Sequence, residues 1–581
     1  LGFYASRITD EQSGIVTYYQ YRMDAPHFGR VSAMHQYDGQ FGAASEVLSK
    51  TENDYATAQG ITSGVVIPYK ATSTSMLYEG TAPGGTPVGV MEVTAMPSVT
   101  AGLITSTTST ARTAASISSS TGGGAFWGDV PTHTLSGIDR SVETVKTYDN
   151  DTTSPNWLIG FQDSFERSYY DGTVASGSLD QRQSATYARY PATNHIQSSD
   201  HFPNDPDYAL TTTYTYTAAG LVDTETLSGA NVASRTTSAL NFTDSRYPTI
   251  IRNALNQDTT VDFDPRFGAV DSSTDPNNRT TSIVLDGFGR QVSRTTPDGV
   301  VTTTSYDRCD SSGITCNAVD GILPVTRIQI DSLNGGTKVA PTEYIYLDEL
   351  GRTIRREIES FNGTLIRQDS KYDSQGRLSH VSQPFLATTG TAHFVEYAYD
   401  IRNRVEKETR PDGSFTDYVY AVEPGVGVRR TIKEKVLKAD GTSLEQSPDH
   451  YRERYEVFDR IGQLVESVDD ADSINGLAVK TSYAYFGSGK PKSITVDPGG
   501  ASTTTTFEFD DGGNRTSITG PDIGTIKTKY TALGELREMG YGAAGTDLLT
   551  TYAYDLLGRI ENRIDQDGTA AWAYDLSLIH I

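Results

Sequence analysis

The stretch KYDSQGRLSHVSQPFLATTGTAHFVEYAYDIRNRVEKETRPDGS, residues 371–414, holds one short pattern twice, 27 residues apart, and ends on Pro-Asp-Gly. Each copy places an aromatic residue before Asp, then two variable residues, a Gly or Asn, and an Arg. An Asp side chain can accept hydrogen bonds from turn amides, and Gly supplies positive φ, so each copy reads as a tight turn. The run VEYAY before the second copy alternates, which places Tyr397 and Tyr399 on one face of a strand and Ala398 on the other. Pro-Asp-Gly is a second turn, because Pro presets φ at its first corner. The unit is strand, turn, strand, turn, which is one hairpin.

Outward from this stretch the pattern recurs. The clear copies are VLDGFGR (Asp286, Gly289, Arg290), YLDELGR (Asp348, Gly351, Arg352), KYDSQGR (Tyr372, Asp373, Gly376, Arg377), AYDIRNR (Tyr399, Asp400, Arg404) and AYDLLGR (Tyr554, Asp555, Gly558, Arg559). Weaker copies are VFDRIGQ (Phe458, Asp459, Gly462), FEFDDGGN (Phe509, Asp510, Gly513), AYFGSGK and KYTALGE. With the Asp or its equivalent as marker, copies fall at 348, 373, 400, 459, 486, 510, 531, 555 and 575, and the 59 residues between 400 and 459 leave room for two degenerate units. Pro297, Pro411 and Pro521 each lie seven residues past the end of a copy. A period of 20 to 27 residues is the signature of a repeat array. Aromatic pairs such as Tyr344/Tyr346, Tyr483/Tyr485, Phe507/Phe509 and Tyr552/Tyr554 precede successive turns. One hairpin is marginal alone, so these aromatics are expected to stack against Tyr and Phe of adjacent repeats. The expected fold is all-β: short antiparallel hairpins in a coiled sheet forming part of a hollow shell.

Composition agrees. Charged residues make up 21% of the 581 positions, hydrophobic ones 36%, with 54 Gly and 34 Tyr, a balance that suits half-buried strands and turns. The net charge of −25 argues against sequence-independent nucleic-acid binding, which needs Lys and Arg on phosphates. No apolar run of about 18 residues exists, hence no membrane-spanning helix is expected.

The copies ending in Gly-Arg resemble the YD repeats of bacterial Rhs proteins, of the B and C components of insecticidal toxin complexes, and of teneurins. The resemblance covers residues 211–576 and implies a β-sheet cocoon that, in the toxin members, encloses a C-terminal toxic polypeptide. Residues 1–165, with phrases such as LGFYASRITDEQSGIVTYYQYRMDAPHFGR and NWLIG, resemble the region that precedes the array in toxin-complex B-type and Salmonella virulence-plasmid B-type proteins. Within it, Thr100–Gly124 is low-complexity and is read as a flexible insertion, with short Thr-rich strands as the alternative. Residues 166–210 connect the two parts. The chain begins without Met, and its last copy runs from AWAYDL into SLIHI, so cut ends are expected and residues 577–581 are set aside as an artefactual tail.

Chemistry was sought in each polar cluster. Cys309 and Cys316 suit either a small loop disulfide or two free thiols. His195, His201, Asp200 and Asp205 could approach a metal, but a polar loop is the simpler reading. FGSGKPKS at 486–493 lacks the spacing of a phosphate loop and reads as a degenerate repeat turn. DDADSING at 469–476 fails the calcium-loop pattern at its fifth and twelfth positions. No nucleophile elbow or metalloprotease motif occurs. No catalytic, cofactor or metal residues are therefore assigned, and no enzyme activity is expected within the chain.

The leading expectation is a structural shell segment that encloses and helps deliver a C-terminal toxin in bacterial competition or virulence, secreted or at the cell surface. Its partners would be that toxin or another shell component. The alternative is a surface adhesin or carbohydrate-binding array facing glycans; a polysaccharide-active enzyme is the third reading.

Overall fold

The computed structural model describes residues 5–9, 15–21, 30–38, 47–59, 66–77, 89–100, 103–120, 132–151 and 158–574, apart from 245, 311–313, 315, 424–425, 436–451, 470–477 and 498–501. The loop read as a calcium-like sequence falls almost wholly outside them, and so does the tail from 575 onward.

The described residues form 41 strands and no helix, so none is long and apolar enough to cross a membrane. Almost every strand pairs antiparallel with the next in the chain, which makes one long meander. The exception is the two-residue strand Phe385–Leu386, which lies on Leu365–Tyr372 while Leu378–Ser382 pairs with Phe394–Tyr399. The first strand, Ala5–Thr9, and the last, Gly568–Ala571, each pair on one side, so the sheet is open.

The Thr- and Ser-rich segment read as a flexible insertion contains the strand Leu103–Ser120, paired with Gly89–Thr100 on one side and Thr132–Asp151 on the other. Of the two readings, strand holds at these residues because Thr is β-branched, and a Thr-rich run is a good strand former when neighbours supply both ladders.

Strands twist, and a long meander therefore coils. After one coil the ribbon meets itself. Arg235 donates to Glu535 Oε1 at 2.7 Å, the Ala532 amide to the Ala230 carbonyl at 3.4 Å, and Lys492 Nζ to Asp171 Oδ2 at 3.2 Å. Arg140 on the eighth strand reaches Asp459 on the thirty-first. At about 4.8 Å per strand, about 23 strands give a circumference near 110 Å and a coil about 35 Å across. Because neighbouring strands run antiparallel, the aromatic–Asp turns fall on one edge of the ribbon and the Pro-Asp-Gly turns on the other. At the seam the aromatic–Asp edge of the later coil sits on the opposite edge of the earlier one.

Among the described residues, a buried apolar cluster forms beside Cys316. Cys309 and Cys316 are joined, with Cα atoms 5.5 Å apart, and Cys316 packs with Tyr344 and Tyr372 against Val319, Tyr346 and Ile354.

Candidate functional site

The feature that recurs and carries specific geometry is the aromatic–Asp turn. In KYDSQGR, the Asp373 amide donates to the Arg377 carbonyl at 2.8 Å and the Gly376 amide to the Asp373 carbonyl at 2.9 Å. Asp373 Oδ1 accepts the amides of Gln375 and Arg377, both at 2.9 Å, and Oδ2 accepts Arg377 Nε at 2.7 Å. Gly376 has φ of +80°, and in AYDIRNR Asn403 takes the same role at +62°. The same pattern holds at Asp286, Asp348, Asp400 and Asp555 with their arginines four residues on.

Each arginine also faces the next repeat. The guanidinium carbon of Arg352 lies 4.5 Å from the Tyr372 ring centre, that of Arg377 4.6 Å from Tyr399, Arg404 3.8 Å from Tyr420, and Arg559 4.3 Å from Tyr574. The same tyrosines donate their hydroxyls back to the carbonyl one residue past that arginine: Tyr372 to Thr353 at 3.0 Å, Tyr399 to Leu378 at 2.6 Å, Tyr420 to Val405 at 3.1 Å and Tyr574 to Ile560 at 2.6 Å. Asp therefore orients Arg, Arg stacks on the following Tyr, and Tyr bonds back to the earlier strand. Aromatic-to-aromatic stacking, expected from the sequence, gives way to cation–π contact at these positions. The reason is spacing: the turn tip places a guanidinium, not a ring, beside the next aromatic. Tyr397 and Tyr399 are half-buried and Ala398 is exposed, which fits alternation along the strand.

Burial alone would raise the Asp348 carboxyl, but the Arg352 amide and guanidinium and the Leu350 amide hold it below the usual range. Asp286, Asp373 and Asp555 are lowered in the same way. Asp264, hydrogen-bonded by Arg266, falls to about 2. A carboxyl depressed in the folded state contributes stability that is complete above its unfolded value, about 3.9, and lost as pH falls through the folded value. Urea midpoints followed strand by strand should therefore be flat from neutral pH to about pH 5 and fall steeply below about pH 4. A midpoint that rises on acidification would contradict this assignment of the turn carboxylates.

The other candidates resolve into local structure. His195 stacks on Tyr216 with ring centres 4.5 Å apart, Asp200 accepts the Thr211 hydroxyl at 2.5 Å, and Asp205 Oδ1 accepts the amides of Asp207 and Tyr208 at 2.8 and 3.2 Å. Among the described residues no group of three or more His, Cys, Asp or Glu is arranged to hold a metal. Phe486–Lys490 closes as a repeat turn, with the Phe486 amide donating to the Lys490 carbonyl at 2.8 Å.

Sequence reasoning missed the residues of the earlier coil that reach the seam, Arg140, Asp180, Gln181 and Arg235. None lies in a recognisable motif. The available signal was indirect: the copies that face them carry Gln463, Lys490, Asn514 and Glu535 where Arg is the rule.

No protein-family model matches the chain, and no curated protein sequence does. Solved structures do. That of TcdB2-TccC3-TEV aligns with 97% of this chain and 41% of its own, at 12% identity and a TM-score of 0.56. TcdB2-TccC3 aligns over 96% of this chain and 46% of its own at 11% identity, and a Photorhabdus luminescens Tc holotoxin pore over 96% and 46% at 10%, with TM-scores of 0.36 and 0.35. The chain thus spans less than half the length of TcdB2-TccC3-TEV. Over nearly all its length, this chain shares its fold, an open, coiled antiparallel sheet, with the solved structure of TcdB2-TccC3-TEV.

Proposed function

We propose that this chain is a wall segment of a non-enzymatic shell that encloses a linked toxin polypeptide and helps deliver it, in a bacterium, by secretion or from the cell surface. The observation that carries this is the seam. A flat hairpin array would bind along a face, whereas a ribbon that meets itself after about 23 strands, near 110 Å of contour, encloses space. The fold shared with TcdB2-TccC3-TEV supports the same reading. The aromatic–Asp–Arg turns serve as wall fasteners.

Protection tests it. A protease-sensitive polypeptide linked after the array should be cut many times more slowly than the same polypeptide free, and cleavage should return to the free rate when the array is unfolded in urea. Cleavage at the free rate with the array folded would refute enclosure. Retention on a glycan surface in the same state would favour adhesion instead.

A further inference from the structure

Among the described residues, each of the four weaker repeat turns is bonded to the earlier coil, which also approaches the Asp555 turn, where Arg235 Nη1 lies 3.3 Å from where a Cβ on Gly558 would stand. In VFDRIGQ, Gln463 replaces the arginine. Arg140 of the earlier coil donates to Asp459 Oδ2 at 3.3 Å and to Gln463 Oε1, and its guanidinium carbon lies 5.6 Å from the Tyr485 ring centre. These are the two contacts that Arg377 makes, to the carboxylate of its own turn and to the tyrosine of the next copy. In FGSGK the turn carboxylate is missing, and Asp180 Oδ2 accepts the Gly487 amide at 2.6 Å. A Cβ at Gly487 would stand 2.5 Å from the Tyr170 carbonyl oxygen, so this position admits the earlier coil only as glycine. In FDDGGN, Gln181 Nε2 donates to the Asp511 carbonyl at 2.9 Å and the Arg182 amide to Asp511 Oδ1 at 2.7 Å. In TALGE, Glu535 stands where Arg is the rule and pairs with Arg235 at 2.7 Å, both side chains being largely buried.

Each of the four closes through its own backbone, as the Phe486 amide on the Lys490 carbonyl and the Thr531 amide on the Glu535 carbonyl show. We propose that these four turns are a built docking surface for the preceding coil of the same chain, to which Arg140, Asp180, Gln181 and Arg235 fasten their side chains and amides. Turn stability is thereby coupled to winding. Absence of the arginine alone is not the mark, since the turn Thr217–Leu221 also lacks it; its Thr217 hydroxyl accepts the Leu221 amide at 3.2 Å, as the Thr531 hydroxyl accepts that of Glu535 at 3.2 Å. The mark is an acceptor or amide left open on the turn and a complementary group 300 to 330 residues earlier. This assignment goes beyond enclosure and is independent of any cargo.

Hydrogen exchange on the full chain, without cargo, tests it. Arg140→Ala should raise exchange at residues 459–463 and 485–490 about tenfold, the size expected for one charge-assisted bond, while residues 373–377 stay unchanged. Gln463→Arg should return the ion pair to its own copy, so that adding Arg140→Ala to it leaves the 459–463 turn protected. Arg235→Glu and Glu535→Arg should each open residues 531–535, and the double exchange should restore protection. Gly487→Ala should loosen residues 168–182 and 486–490 together. Unchanged exchange at the seam in Arg140→Ala, or no recovery in the Arg235→Glu/Glu535→Arg pair, would overturn the proposal. If a single variant fails to fold, the charge-exchanged pair still decides.

Discussion

Asp369→Ala is expected to destabilise strands 353–382 by about 3–5 kcal/mol, the cost of leaving one buried charge without its partner. Arg355 donates Nε to Asp369 Oδ1 at 2.6 Å and Nη2 to Oδ2 at 2.7 Å, and both side chains are only 8% exposed. Asp369 is held in place from a second strand, because its amide donates to the Ser382 hydroxyl at 2.8 Å. Beside it, Glu357 accepts the Tyr346 hydroxyl at 3.0 Å and pairs with Arg367. Water cannot replace Asp369 at that depth, so Arg355 would remain charged and unpaired. Replacing both partners, Arg355→Met with Asp369→Leu, should cost far less, since no charge stays buried. An array need not unfold in one step, so the measurement is residue-resolved hydrogen exchange in urea, not a single midpoint. A loss below about 1 kcal/mol for Asp369→Ala would mean that the site is wetter than its burial implies.

Tyr399→Ala should cost about 3 kcal/mol, the low end for a large aromatic truncation because Tyr399 is half-buried. Three contributions disappear together: ring packing, the Arg377 guanidinium 4.6 Å from the ring centre, and the hydroxyl bond to the Leu378 carbonyl. Tyr399→Phe keeps the first two and should lose only about 1 kcal/mol. Ala398, exposed and opposite Lys407, should accept Thr within about 0.5 kcal/mol. Gly376→Val forces a β-branched residue to φ of +80° and should cost at least about 1–2 kcal/mol while leaving the Tyr399 strand in register. Thermal unfolding and protease sensitivity of the four variants decide. Equal damage from Ala398→Thr and Tyr399→Ala would reverse the strand phase.

The repeat turns and the all-β class were legible in the sequence because they rest on local physics. Asp373 caps its own turn within four residues, Gly376 has the backbone freedom that turn needs, and Tyr397, Ala398 and Tyr399 alternate because a strand has period two. The role of the arginines was half visible: Arg377 stands at a fixed place, but its stacking on Tyr399 spans two strands and follows only from hairpin register. The strand Leu103–Ser120 was legible only as one of two readings, because a Thr-rich run is ambiguous until neighbouring ladders choose for it. The seam was invisible, since Arg140 and Asp459 are brought together by accumulated strand twist, a small rotation per strand summed over a whole coil, which no short window encodes. The sequence by itself determined the hairpin unit and its turn chemistry, since these are set within a few residues. Only the tertiary structure decided which turns are also bonded to the coil beneath them, because that depends on where twist brings the ribbon back.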